Sequence, residues 1–231
     1  MYLYFASTLF FYLSYAGLDK YAPEYFPESS AIVTRKYRIA NTVKSIALFG
    51  LCFPGTKFLY NLVYYPELNY FETLNAIGAI YTATDAAALI YNPNCHTSTL
   101  VHHVVVQCFY YYCYLLEFNM EYGVPRGIAV YCILSSYAYL VNGRLAMRFT
   151  PYKELEHYVN ETSLYVYITT CVVNWVTQSY FLFGGFNMNM LERLLYMATL
   201  GMTINDDLFL IKFLRKIDYK KPEKNNEIKK A

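Results

Sequence analysis

The sequence predicts an all-α integral membrane protein of seven transmembrane helices, and three observations carry that reading. Of its 231 residues 56% are hydrophobic and only 16% charged, and the charges gather in short stretches instead of spreading along the chain as in a soluble domain. Seven apolar segments each approach the ~20 residues that cross a hydrocarbon core. The basic residues lie on alternate connections, the pattern of a positively charged inner side. Mean hydropathy is only +0.19. The cause is the 28 tyrosines, which hydropathy scales treat as polar although the ring suits a membrane interface.

The segments are 2–18, 40–63, 71–91, 98–118, 126–147, 162–183 and 190–214. The first is the shortest and ends at Asp19-Lys20. Its Ser14-Tyr15-Ala16 resembles a signal-cleavage site, but no basic residue precedes it, so it reads as a retained helix. Pro54-Gly55 predicts a bend in the second. The third and fourth hold more polar residues than a lipid-exposed helix favours.

With the N-terminus outside, the cytosolic segments are 19–39, 92–97, 148–161 and 215–231. They carry Lys20, Arg35, Lys36, Arg38, Arg148, Lys153 and the basic tail from Arg215 to Lys230. Arg126 and Arg193 sit at outer helix ends. This topology puts the sequon Asn160-Glu161-Thr162 in the cytosol, where it stays unmodified. The domain division is 1–34 for the first helix and its loop, 35–217 for the main bundle and 218–231 for a cytosolic tail.

Depth supplies the candidate site. His102 and His103 lie about 7 Å into the fourth helix from its cytosolic end, at 1.5 Å per residue. Imidazole among lipid tails is costly, and an intramembrane histidine points to function. Adjacent helical residues cannot share one face, so one histidine can line a cavity while the other meets a neighbouring helix. Asp85, Asn142 and Arg144 fall at similar depth, as do Asn41, Lys44 and Ser45 of the second helix. Thr169, Thr170, Asn205, Asp206 and Asp207 are slightly deeper. Six helices therefore carry polar groups at one level, which predicts a polar chamber open to the cytosol beneath an apolar part fit for an acyl chain. Lys44 and Arg144 either snorkel to the interface or turn inward to pair with Asp206 and Asp207. Thr170, Asn174 and Gln178 form an i, i+4, i+8 stripe of the kind that joins membrane helices. The six cysteines show no zinc-type pairing and read as small packing residues.

Four motifs resemble the TLC-domain family, which includes the ceramide synthases. Tyr81-x3-Asp85 followed by Leu100-Val101-His102-His103-Val104 is similar to its central signature. Asn41-x3-Ser45-Ile46 resembles the start of its first barrel helix, with Ala47 where a histidine is often found. Val141-Asn142-x-Arg144 resembles a VNxRW signature without the tryptophan, and Asn205-x3-Phe209 an NxxWF signature with Leu208 in place of tryptophan. The resemblance spans about residues 35–217. It implies a six-helix barrel around a central cavity, a preceding extra helix, and the histidine pair projecting inward.

In ceramide synthases such a pair serves acyl transfer from acyl-CoA to a sphingoid amine, with imidazole as general base or acyl acceptor. Their acidic cluster about thirty residues later is replaced here by Ile133-Leu134-Ser135-Ser136-Tyr137-Ala138-Tyr139. The resemblance therefore favours the branch concerned with lipid composition, sensing or transport, and acyl transfer stands as the alternative. On it, His102, His103 and Asp85 are the candidate catalytic residues. Ser45, Asn142, Arg144, Asn205, Asp206 and Asp207 are the candidate substrate contacts. No bound cofactor is expected, with acyl-CoA as co-substrate if the protein is enzymatic. The partner is a membrane lipid or acyl-CoA, a homodimer is left open, and the endoplasmic reticulum or a connected membrane is the implied location.

Other classes fare worse. Lys212 follows Asp207 by five residues and lies near a helix end, which suits no retinal site. Four histidines are too few for a di-iron desaturase. His96, His102 and His103 lack the i, i+4 spacing of a helical zinc site, so no metal is expected. Nucleic-acid binding lacks a basic patch interleaved with aromatics.

Overall fold

A computed structural model describes residues 1–25, 35–65, 70–93, 97–119, 123–147, 153–184 and 188–215. The described residues form an all-helical protein without strands. In chain order the helices are α1 (Tyr2–Tyr21), α2 (Arg35–Tyr64), α3 (Phe71–Tyr91), α4 (Thr97–Leu115), α5 (Gly123–Ser136), α6 (Tyr139–Met147), α7 (Lys153–Phe183) and α8 (Met190–Arg215). A single 3₁₀ turn, Pro23–Tyr25, follows α1. Each expected apolar segment falls on a helix, and the fifth falls on two. His96, Arg148 and the tail beyond Arg215 lie outside the described residues.

The second and fifth segments show how local chemistry sets helix continuity. α2 runs on through Pro54. Gly55 beside it answers a packing need, since a Cβ there would stand 2.9 Å from the Ile133 side chain of α5. The break comes at Tyr137-Ala138, with a 40° bend between α5 and α6. There the Ser136 hydroxyl donates to the Ile133 carbonyl at 2.7 Å. Tyr137 and Ala138 donate back only three residues, to Leu134 and Ser135. These bonds satisfy the last turn of α5 while ending its α-helical ladder. The Ser45 hydroxyl of α2 then donates to the Tyr139 carbonyl at 2.7 Å, anchoring the start of α6.

α3 is the central helix. Its buried face is built from Ala79, Ala83, Ala87 and Thr84, each essentially inaccessible, and such small side chains let neighbours approach closely. α1 packs on α3 and α2, α4 packs on α3, α2 packs on α6, and α7 packs on α5, α6 and α8. Polar bonds fix several of these seams. Tyr15 of α1 donates to the Thr84 carbonyl, Gln107 of α4 to the Thr82 carbonyl, and Arg38 of α2 to the Ala146 carbonyl. Of the Thr170, Asn174 and Gln178 stripe, Gln178 joins helices, while Thr170 donates back to the Val166 carbonyl of its own helix. Gln178 donates to the Gly127 carbonyl of α5 and to Asn174, and accepts from the Tyr196 hydroxyl of α8.

The seam between α4 and α8 is different. At one end Tyr112 donates to Glu192 at 2.7 Å, and at the other His102 faces Asp206. Phe109 and Tyr196 meet edge to face at 6.5 Å. Along the rest of their length a cavity separates the two helices.

Met190–Arg215 is long and apolar enough to cross a membrane, and α5 with α6 qualifies as one broken span. No other described helix meets the same measure, short of the seven expected. Tyrosine is the reason in α1, where five of twenty residues are tyrosine, and polar side chains lower α4 in the same way.

Candidate functional site

The site begins with Asp85, which α3 carries into the interior at 0% exposure. A lone buried carboxylate is costly, so it must be paired. Lys44 of α2 supplies the counter-charge, its Nζ contacting Asp85 Oδ1. His103 of α4 stands on the other oxygen, with Nδ1 3.1 Å from Asp85 Oδ2. That separation is within ion-pair reach, yet neither atom makes a directed hydrogen bond among the described residues.

The two histidines divide their roles as adjacent helical residues must. His103 is buried against α3. His102 turns outward, with Nδ1 3.6 Å from Asp206 Oδ2 of α8. Their rings meet edge to face with centroids 5.7 Å apart.

Two cavities border this point. The larger, about 270 Å³, lies between α4 and α8. Its walls are mainly apolar, including Val101, Val105, Phe109, Ile128, Leu200 and Met202. The smaller, about 150 Å³, is the more polar of the two and lies among α2, α5, α6, α7 and α8. Its wall carries Lys44, Ser135, Asn142, Thr170, Asn174 and Asp207. His102, Tyr131 and Asp206 line both.

The remaining candidates are distributed as follows. Asn142 lies on the polar wall and also donates to the Ala138 carbonyl at 3.0 Å. Asn205 lines the apolar cavity near its polar end. Asp207 reaches the polar cavity but is already held, accepting from Tyr167 at 2.7 Å and from Trp175 Nε1 at 2.9 Å. This carboxylate fastens α8 to α7. Ser45 sits in the α2–α6 seam and off both cavity walls. Arg144 is fully buried, at 1% exposure, and lines neither cavity. Asn41 bonds locally to the Tyr37 carbonyl. His157 pairs with Glu161 at 3.7 Å on the outer face of α7.

Lys44 takes the place at the centre that the sequence left open, and it pairs with Asp85 instead of Asp206 or Asp207. Tyr131 and Tyr167 are site residues that sequence reasoning missed. Nothing distinguishes them among 28 tyrosines. The one usable signal was Trp175, the only tryptophan, on the same helix as the polar stripe.

Compared with family models, curated proteins and solved structures, the chain has no significant match.

Proposed function

We propose that this is a multi-pass membrane protein with a TLC-type barrel that binds a membrane lipid and serves lipid composition, sensing or transport. In this reading α2 to α8 form the wall, with α5 and α6 as one broken span, and α1 is the extra helix outside. The observation that carries the proposal is that His102, Tyr131 and Asp206 line both an apolar cavity and a more polar one.

The outer surface supports the membrane setting. Leu9, Phe10 and Leu13 of α1, Ile46, Phe49 and Phe53 of α2, Val172, Val173 and Val176 of α7 and Leu191, Leu194 and Leu195 of α8 are all exposed. Large apolar residues on that many outward faces suit lipid tails and would be an aggregation liability in water. Within an otherwise apolar core, Asp85, His103, Arg144, Asn174 and Gln178 are buried, as expected where polar side chains face a bundle interior. The polar cavity would open toward the cytosol, in the endoplasmic reticulum or a connected membrane.

Acyl transfer is the second reading, favoured by the His103–Asp85 contact. In it, His102 takes a proton from a lipid amine as the nitrogen attacks the thioester carbonyl of acyl-CoA. An amide bond forms, the carbon–sulfur bond breaks, and the departing thiolate receives the proton. His103, held by Asp85, would position its neighbour.

The test is lipid mass spectrometry on protein purified in mild detergent, with an acyl-CoA and sphingoid-base assay on the same membranes. A lipid held by wild type and lost in the His102→Ala/His103→Ala variant supports lipid binding. New N-acylated product that disappears in the variant makes the protein an acyltransferase. Neither product nor variant-sensitive lipid refutes both readings.

A further inference from the structure

The geometry points to a divalent transition-metal site formed by Asp85, His102 and His103, with its open position toward the polar cavity. These residues each offer one ligand atom, and the three atoms lie within 4.8 Å of one another. Two imidazoles and a carboxylate are a donor set for borderline ions such as zinc or ferrous iron, leaving positions free for water or substrate. The inference does not depend on the lipid reading.

Spacing along α4 argued against zinc only while all three donors had to come from the neighbourhood of one helix. The third donor instead comes from α3. Metal–ligand bonds of about 2.0–2.1 Å place tetrahedral ligands about 3.3 Å apart. The Asp85 Oδ2 to His103 Nδ1 separation, 3.1 Å, already matches that edge. His102 would have to close by no more than about 1.5 Å, within the reach of a side-chain rotation.

Buried polar atoms supply the second observation. Asp85 is at 0% exposure and His103 at 8%, and Oδ2 and Nδ1 lie 3.1 Å apart without a directed hydrogen bond. An ion bridging the two would use both lone pairs. The surroundings also resemble the outer shell of a metal centre. Ligating histidines usually give their second nitrogen to a carboxylate. His102 turns Nδ1 to Asp206, which leaves Nε2 for the ion. Lys44 occupies Asp85 Oδ1, so the carboxylate would bind through one oxygen. The Lys44 ammonium opposes a cation, and Asp206 beside His102 offsets it. His102 and Lys44 both stand on the polar cavity wall, and the open position would face that space between them.

The experiment strips full-length protein in detergent with a chelator, reloads it with Zn²⁺ or Co²⁺, removes excess, and counts metal per chain by mass spectrometry. The expected result is about one ion per chain, with affinity falling about 100-fold or more in Asp85→Asn and His103→Ala, and about 10- to 100-fold in Asp206→Asn. Removal of the surface histidine, His157→Ala, should leave the ion in place. Co²⁺ bound to wild type should show the visible bands of nitrogen–oxygen coordination, a readout independent of whether the variants fold. The inference is overturned if wild type holds no ion after loading, if Asp85→Asn and His103→Ala hold it equally well, or if bound Co²⁺ lacks those bands. Lipid content measured on the same samples separates this outcome from the lipid reading. Lipid without metal refutes only the site, and metal without lipid refutes only the lipid proposal.

Discussion

The Lys44–Asp85 pair is the part of this interior most open to a quantitative test. Asp85 is fully buried, while the Lys44 side chain keeps 17% exposure at the cavity wall. Breaking a buried ion pair from one side costs about 3–5 kcal/mol, because the remaining charge is left without compensation. Lys44→Met leaves the carboxylate with His103 as its one remaining partner, which places the expected loss at the lower end, about 3 kcal/mol. Asp85→Leu leaves a lysine that can turn into the polar cavity, so about 1–2 kcal/mol follows. Lys44→Met/Asp85→Leu removes both charges and should fall within about 1 kcal/mol of wild type. The assay is reversible unfolding in mixed micelles on chelator-stripped protein, so that no ion contributes. The double-mutant cycle should return a coupling of about 3–5 kcal/mol, the sum of the single losses less that of the double variant. Additive single substitutions, or a Lys44→Met loss under about 1 kcal/mol, would refute the reasoning and mean that water screens the pair.

Four further outcomes follow from other contacts. Gly127→Ala puts a methyl group 2.2 Å from the Tyr196 hydroxyl and 3.1 Å from Gln178 Oε1, and should cost about 1–3 kcal/mol. An unfolding midpoint equal to wild type would count against that clamp. Asp207→Ala strands the Trp175 indole and the Tyr167 hydroxyl. It should cost about 1–3 kcal/mol and move the emission of this sole tryptophan to shorter wavelength, so an unchanged spectrum would contradict the contact. Thr203→Trp fills the cavity between α4 and α8. It should displace most bound lipid with little change in unfolding midpoint, and full retention of lipid would place the binding site elsewhere. Asn160 is 5% exposed within α7, so glycosidase treatment should leave gel mobility unchanged.

Helix positions were legible because apolar length is a local property of the chain. The break in the fifth segment was not, since Ile133 to Tyr139 contains neither proline nor glycine. It depends on a serine back-bond and on Ser45, a residue ninety-four positions away. Depth counting put Asp85, both histidines and Asp206 at one level, where the structure brings them together, because one rise per residue governs every helix. It could not decide direction around each helix. Neighbouring side chains differ by about 100°, so Lys44 enters the site while Ser45 enters a seam. Asp206 lines both cavities while Asp207 ties down α8. Partner choice was hidden for the same reason, and only packing reveals that Lys44 belongs to Asp85.

The gap between α4 and α8 bears on how a guest would be supplied. A helix pair in close contact admits a molecule only through its ends, by way of water. Here the larger cavity lies along the flank, beside exposed Leu194, Leu195 and Met202. On the proposed membrane reading, a lipid arriving from that side would never leave the hydrocarbon. Its occupancy would follow its mole fraction in the surrounding leaflet and not its vanishing aqueous concentration. Titrations run against detergent-dispersed lipid should therefore be plotted per lipid molecule in the micelle, and dilution with buffer alone should release nothing.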